Sequence, residues 1–479
     1  MAGKTLTGGN PSRKALRALG IFGSVKSMTL LFSVIKVKLV AVWLGAEGMG
    51  LFNILNSATD TVSSLSQLGI GGSAVRYIAA AENRGQVQRL ALAVRRLTWL
   101  SGVIGAFLML ILAETFSSLT FGDTVHTSQF RWLAVSVFLS AVTNGWIAVT
   151  QGTGELKRLA RAQLWGAVAS FVISVPLFYF YRIEAVLPVL TLGFGVSAIA
   201  AWIFRARVGQ PSPRRAWSDS IREGGAMVRL GIMMTVSTFA GLAVNYLMIA
   251  WLNGEASTAM VGYYNAGYTL ATRYTGILFA AVATEFYPRL SGIIGLASEV
   301  ERHVNGQIML GLRILLPVIL LFTAFDREIV TILYSADFET ILPYVTLAVA
   351  ATVLKLAGWC YSYVILARGD GTVYALTELA GHAVWLGSTI AGYSLYGMAG
   401  FGYAAILSLL FDACLTWSIY RYRYGYRTDS GTFGRIAAVI AVAGAALILR
   451  ARVGNIPVIL LAVPVTVLSW RAVRRSVKK

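Results

Sequence analysis

The chain has 479 residues, 57% hydrophobic and only 13% charged, with a mean hydropathy of +0.68. A soluble globular domain carries roughly 25% charged residues, so this composition excludes one and describes a chain solvated mostly by lipid. The net charge of +20 would suit nucleic acid if it were gathered in one basic domain. Here it is spread over the gaps between apolar runs, and no nucleic-acid partner is expected.

A membrane-crossing helix needs about 20 apolar residues, and in lipid the backbone must satisfy itself within the segment. The apolar runs are continuous and lack the alternating ten-residue pattern of a membrane β-barrel. After a polar, basic beginning over 1–20, they predict spans over 19–44, 48–74, 91–113, 132–151, 162–181, 185–204, 230–252, 259–287, 307–325, 340–366, 373–394, 398–420, 434–449 and 456–470. The predicted fold class is all-α integral membrane, with about fourteen transmembrane helices.

The gaps between spans alternate in charge. Lys and Arg collect in 4–17, 76–96, 157–161, 205–229, 421–435 and 471–479. The intervening gaps hold Glu47, Glu114, Asp123, Glu255, Asp326, Asp337 and Glu339, with few bases. The positive-inside rule then places both termini in the cytoplasm, with Arg450 and Arg452 running against it. No gap is long enough for a folded extramembrane domain, so any chemistry belongs to the helix bundle.

The sequence also repeats itself. Gly50-Leu51-Phe52-Asn53 recurs as Gly262-Tyr263-Tyr264-Asn265, Arg76 as Arg289, and Gly152-Thr153-Gly154 as Gly369-Asp370-Gly371, at offsets of 212 to 217 residues. This predicts two pseudo-symmetric six-helix lobes in the same orientation, 1–204 and 230–424, joined by a cytoplasmic linker over 205–229. Residues 425–479 add two C-terminal helices and a basic tail. Two such lobes suggest a secondary transporter with a central cavity.

An ionisable side chain inside a span costs about 2.5 to 3.5 kcal/mol on insertion scales and therefore faces a cavity or a partner. Lys26, Lys36, Asp60, Arg273, Arg313 and Lys355 are the candidates for substrate binding and translocation; Glu378, His382, Asp412 and Glu285 are the candidates for coupling. Lys38 can snorkel to the nearer surface. With Lys38 included, basic groups outnumber acidic ones, which suits an anionic, phosphorylated cargo held by guanidinium and ammonium groups. Mutual neutralisation is the plain alternative. Glu378 and His382 share a helix face and read either as a proton relay or as a hydrogen-bonded structural pair. Tyr263, Tyr264, Tyr268, Tyr274, Tyr361 and Tyr363 are able to stack on sugars or to sit at a membrane interface, and the interface reading is favoured for Tyr263 and Tyr264. Cys360 and Cys414 read as small core residues.

Several of these segments together resemble a family. Leu44-Gly45-Ala46-Glu47-Gly48-Met49-Gly50-Leu51-Phe52 resembles the glycine-rich turn between the first two helices of Wzx-type polysaccharide flippases, in the multidrug/oligosaccharidyl-lipid/polysaccharide exporter superfamily. Val75-Arg76-Tyr77-Ile78 is similar to the basic residue closing their second helix. Gln151-Gly152-Thr153-Gly154, running on to Ala162, is similar to their glycine-basic loop. Val353-Leu354-Lys355 and Ala375-Leu376-Thr377-Glu378 resemble the branch that flips the enterobacterial common antigen precursor.

The resemblance implies a two-lobed bundle in the bacterial inner membrane. It implies flipping of undecaprenyl-diphosphate-linked oligosaccharide to the periplasmic leaflet, beside a polymerase and a chain-length regulator. On it, Lys355, Arg313, Glu378 and Lys38 match charged family positions. Arg273, Asp60, Asp412, Lys26 and Lys36 match none and rest on burial alone. No G-x-x-x-x-G-K-[ST] phosphate loop is present, so no cofactor is expected, and a proton or sodium gradient or the membrane potential is the expected energy source. Rival readings are a drug–cation antiporter of the same superfamily, a membrane glycosyltransferase or polymerase, and a non-transporting scaffold. The first would favour an acidic cavity and the second a long external loop.

Overall fold

A single glycine turns the first two predicted spans into one bent helix. In the computed structural model α1 runs Pro11–Gln67, and only Gly45 leaves helical geometry within it, at φ 67° and ψ −165°. A positive φ costs glycine nothing, so the chain bends there without unwinding a loop. The backbone is described for residues 11–209 and 216–477. Side chains at 11–24, 26, 233–234, 237, 273–274, 277–278, 280–284 and 472–477 lie outside the described residues.

Every regular element among the described residues is helical. After α1 come α2 (Ile70–Ala79), α3 (Arg84–Phe121), α4 (Thr127–Gly152), α5 (Leu156–Tyr181), α6 (Val186–Ile203) and α7 (Trp217–Glu255). They are followed by α8 (Thr258–Tyr268), a π-helical turn at Thr269–Tyr274, α9 (Thr275–Ile293), α10 (Ala297–Ala324), α11 (Asp326–Leu333), α12 (Leu342–Ala350) and α13 (Thr352–Ala367). The last four are α14 (Gly371–Tyr396), α15 (Met398–Ser418), α16 (Ser430–Arg452) and α17 (Asn455–Val477). Among the described residues seven helices are long and apolar enough to span a bilayer. An eighth joins them if the pair Ala336–Ala350 and Thr352–Ala367, bent by 41°, is one broken span. The chain is a multi-pass membrane protein, and fourteen spans are consistent with this helix order.

By contact the chain falls into two compact units, Met1–Ala259 and Met260–Lys479. The sequence placed the change of lobe at 205–229. In the structure α7 packs against α1, α2 and α3 of the first unit. The reason is visible where α1 ends. Gly69, at φ 60°, and Gly231 of α7 meet so closely that a Cβ at Gly231 would lie 2.1 Å from the Leu68 carbonyl oxygen. Such backbone contact needs small residues, as elsewhere in lipid-solvated helix pairs.

Within unit 1, α3 and α4 form an extensively packed pair, with Gly145 set against Thr98. Asn83 caps α3 by accepting from the Gln86 amide at 2.9 Å, and Gln86 reaches back to the Glu82 amide at 3.0 Å, so orphan donors at the helix start are satisfied reciprocally. Within unit 2, α15 is the hub. It packs on α14, α13 and α12, while α10 holds α16 and α17.

The sequence repeat returns as matched turns. After α4, Gly154 sits at φ 72°, and the Gly154, Glu155 and Leu156 amides donate to the Gln151, Thr150 and Gly154 carbonyls. After α13, Gly369 sits at φ 75°, and the Gly369, Asp370 and Gly371 amides donate to Leu366, Ile365 and Gly369 in the same order. The equivalent glycines are thus Gly154 and Gly369, two residues from the pairing that sequence spacing suggested. What the two turns share is the left-handed backbone, which glycine alone adopts freely.

Candidate functional site

In unit 1, Lys36 lies half-buried on α1 before the Gly45 bend. Its Nζ is 5.6 Å from the centroid of Phe52, which follows the bend. The ammonium donates to Ser170 Oγ of α5 at 3.4 Å and forms no ion pair with any described carboxylate. An ammonium over a ring face gains roughly 0.5 to 2 kcal/mol, less than its insertion cost. It has three donors, and the hydroxyl takes one. Farther along α1, half-buried Asp60 accepts from Asn56 Nδ2 at 2.8 Å. It belongs to a polar seam with α7, where Asn245 donates to Ser57 Oγ at 3.2 Å and Thr61 Oγ1 reaches the Leu242 carbonyl at 3.4 Å.

In unit 2, three helices bring four candidates together. Lys355 comes from α13, Glu378 and His382 from α14, and Asp412 from α15; all four are half-buried. Asp412 is the centre, within electrostatic reach of Glu378, Lys355 and His382. Its carboxylate fits because two neighbours lack side chains. A Cβ on Gly358 of α13 would lie 2.6 Å from Asp412 Oδ2, and one on Gly381 of α14 would lie 3.8 Å from Oδ1. Lys355 faces Asp412 without a contact ion pair and holds its Nζ 5.7 Å from the Phe279 centroid. The Tyr374 hydroxyl reaches the Glu378 carboxylate one turn away. Glu378 and His382 share a face, yet no hydrogen bond joins them; the group both address is Asp412.

An aromatic strip continues from Lys355. Trp359 and Tyr363 follow at intervals of four on the same face of α13, with ring centroids 4.5 Å apart. Phe279 and Phe286 of α9 each lie 5.6 Å from Trp359, and Tyr287 lies 5.6 Å from Tyr363. Trp359 and Tyr363 stay half-buried, so part of each ring remains accessible.

The other candidates lie elsewhere. Arg313 borders a cleft on the α16–α17 side of α10, lined by Arg435, rather than the Asp412 cluster. Glu285 is exposed and sits 3.8 Å from Arg289 on its own helix. The side chains of Lys26 and Arg273 lie outside the described residues; the Arg273 backbone belongs to the π-helical turn. Tyr264 is not at an interface. It is 1% exposed and packs among Tyr268, Tyr344 and Phe401 in the core. Cys360 is buried as expected, but Cys414 is exposed.

Sequence reasoning missed Gly358, Gly381, Tyr374 and Trp359. Trp359 carried a readable signal, four residues after a mid-span lysine. The two glycines carried none, because their meaning lies in what α15 places beside them. The unit 2 cluster holds one lysine and one histidine beside two carboxylates, and Lys36 in unit 1, like Lys355, makes no contact ion pair with a described carboxylate.

Comparison with known proteins places this geometry. Residues 39–343 match the family described as polysaccharide biosynthesis protein. A Shigella flexneri protein whose name assigns it to O-antigen transport is 22% identical over 79% of this chain and 90% of its own. The lipid III flippase of Escherichia coli is 21% identical over 72% and 83%. Among solved structures, the inward-closed lipid II flippase MurJ superposes with a TM-score of 0.67 at 12% identity, covering 96% of this chain and 99% of its own. An inward-facing multidrug resistance MATE transporter of the MOP superfamily gives 0.66 at 15% identity, covering 88% and 98%. The fold is that of these transporters.

Proposed function

The chain belongs to the polysaccharide biosynthesis protein family, and on that premise we propose that it flips an undecaprenyl-diphosphate-linked oligosaccharide from the cytoplasmic to the periplasmic leaflet by alternating access. Its place is the bacterial inner membrane, with both termini cytoplasmic and with a polysaccharide polymerase and a chain-length regulator acting on what it delivers. The observation that carries the reading is the pair of half-buried lysines, Lys36 and Lys355. Each rests over an aromatic ring and neither is in contact with a described carboxylate. A phosphate oxygen supplies what a ring cannot, a charged acceptor for the remaining ammonium donors. The half-buried faces of Trp359 and Tyr363 give the adjoining sugars an apolar surface on which to lie.

Asp412 sets the cycle in this scheme. Lys355 bonds either Asp412 or a phosphate, not both at full strength. A proton or sodium ion arriving on the Asp412–Glu378 carboxylates releases Lys355 to the cargo. When that ion departs, Lys355 returns to Asp412 and the cargo is expelled. The chain thus draws on an ion gradient or the membrane potential and binds no cofactor.

The test is charge removal in cells that lack the natural chain. Lys36→Ala and Lys355→Ala proteins that insert normally are expected to lose surface polysaccharide and to accumulate lipid-linked sugar on the cytoplasmic side. Full polysaccharide from both variants would end the assignment. The two carboxylates at Asp412 favour one second reading, a cation-coupled drug antiporter. That reading takes over if polysaccharide is intact in cells without the chain and efflux of a cationic dye is lost.

A further inference from the structure

Helices α10, α16 and α17 pack tightly along only part of their length. Leu320 and Ala324 of α10, Ala446 of α16, and Val458 and Ala462 of α17 form a closed apolar core. Toward the other end of α10 the helices part around a cavity of about 290 Å³. Arg313, Arg435 and Ser469 border it, and Leu312, Leu316 and Val439 form its apolar wall. None of its lining residues is acidic. Arg435 is exposed and donates from Nη1 to Met309 Sδ at 2.9 Å, a weak acceptor, and makes no ion pair with a described carboxylate.

The depth is informative. Arg435 lies five residues into α16, about 8 Å along the axis at 1.5 Å per residue. Ser469 lies two residues before exposed Arg471 on α17. Arg313 follows the point where α10 leaves its polar beginning of Glu299, Glu301 and Arg302 and turns apolar. Arg435 and Ser469 therefore sit near the ends of their apolar runs, and Arg313, five residues inside the run of α10 that begins at Ile308, brings its long side chain to the same cleft.

We infer that this cleft binds an anionic phospholipid of the surrounding membrane, with its phosphate between Arg313 and Arg435 and an acyl chain along Leu312, Leu316 and Val439. Arginine forks suit a phosphate ester, and basic pockets between membrane helices take anionic headgroups. A free phosphate would leave the apolar wall unused. The transported lipid is not the occupant, because neither Lys355 nor Asp412 lines the cleft.

The experiment uses the purified full chain in detergent, titrated with dioleoyl-phosphatidylglycerol or dioleoyl-phosphatidylcholine. Bound lipid is counted by native mass spectrometry and the unfolding midpoint is followed in parallel. Phosphatidylglycerol should be retained preferentially and raise the midpoint. The Arg313→Gln/Arg435→Gln protein should bind it at least about tenfold more weakly. Arg435→Gln alone, at an exposed position, serves if the double variant fails to fold. Equal retention of both lipids, or preference surviving in the variants, overturns the inference. So does equal protection by millimolar inorganic phosphate, or displacement of phosphatidylglycerol by a polyprenyl diphosphate, which would give the cleft to a soluble anion or to the cargo.

Discussion

Arg450 closes on Asp326 through two nitrogens, with Nη2 at 2.8 Å and Nε at 3.2 Å from the same oxygen, Oδ1. Asp326 also accepts from Thr346 at 3.3 Å and from the Arg327 amide at 2.8 Å, and it is 5% exposed. The pair fixes the end of α16 to the start of α11. It also explains why one arginine runs against the Lys/Arg pattern of the loops: Arg450 is held by a partner rather than by an aqueous compartment. Removing one member of a buried pair typically costs about 3 to 5 kcal/mol, because the other charge is left without compensation. Arg450→Ala should therefore lower the unfolding midpoint sharply, and Arg450→Leu with Asp326→Asn should recover most of it. Thermal unfolding in detergent separates the two, and an unchanged midpoint in Arg450→Ala would refute the pairing.

A second relationship is steric. Gly358 lies so close to Asp412 that a methyl group there would stand 2.6 Å from Oδ2 and 3.3 Å from the Ala413 backbone. Gly358→Ala must push α13 from α15 or drive the carboxylate out of its place, and overpacking of this kind costs about 1 to 3 kcal/mol. Gly381→Ala meets Oδ1 at an ordinary 3.8 Å. The expected outcome is lost polysaccharide complementation for the first and near-normal complementation for the second, at matched expression. Equal behaviour would mean that the seat of Asp412 does not matter.

These two cases mark how far the sequence can be read. Hydropathy and loop charge gave the helical, multi-pass class, because burial in lipid constrains every residue of a span, and recurring short motifs pointed to the two matched glycine turns. The presence of an ionisable group inside an apolar run singled out Lys36, Lys355, Glu378, His382 and Asp412 one by one. It could not say that Asp412 is the group the other unit 2 charges face, since that depends on the rotation of three helices. Glu285, near the end of its span, was open to either a coupling role or a structural pair, and it stands 3.8 Å from Arg289. Arg313 was legible as a charge inside a span but not as a neighbour of Arg435, which lies 122 residues later in the sequence. The contact of Gly231 with Leu68 was hidden for a similar reason: it is a backbone approach that hydropathy does not record.

That approach makes a direct prediction. Gly231→Ala would force a Cβ to within 2.1 Å of a carbonyl oxygen that belongs to backbone and cannot rotate away. We expect a loss of about 1 to 3 kcal/mol. Gly225→Ala, on the same helix with nothing within 4 Å of the new methyl, should be neutral or gain about 0.5 to 1 kcal/mol from helix propensity. Unfolding midpoints of the two variants compared with the parent decide it, and a tolerated Gly231→Ala would show that α7 does not bear on the end of α1.

The loop after α13 should respond to acid. Removal from water pushes the Asp370 carboxyl up. Its bonds from Arg423, the Val373 amide and Tyr424 outweigh this and hold it below the ordinary carboxylate value. A lowered value in the folded state means that the contribution to stability is full above the ordinary carboxylate range and fades as pH falls through the lowered value. Hydrogen exchange over residues 424–429, corrected for intrinsic rate, should show protection at pH 7 that declines on acidification below about pH 4. Asp370→Asn should show the weaker protection already at pH 7, and parent-like protection in that variant would refute the role.

The exchange of partners at Lys355 is open to a double-mutant cycle. Lys355→Ala and Asp412→Asn each remove one side of an interaction that is electrostatic without being a contact pair. If Asp412 acts on transport through Lys355, the double variant should be no worse than the poorer single variant, with a coupling energy of about 0.5 to 3 kcal/mol in transport rate. If the residues act independently, the losses should add. Glu378→Gln is the discriminating third variant. It leaves Lys355 and Asp412 in place but removes the second carboxylate able to share an arriving cation, so transport should persist with a changed dependence on pH or sodium. A flat response to both in that variant, alongside additive losses in the cycle, would remove the carboxylates from the coupling step and leave Lys355 as a cargo contact only.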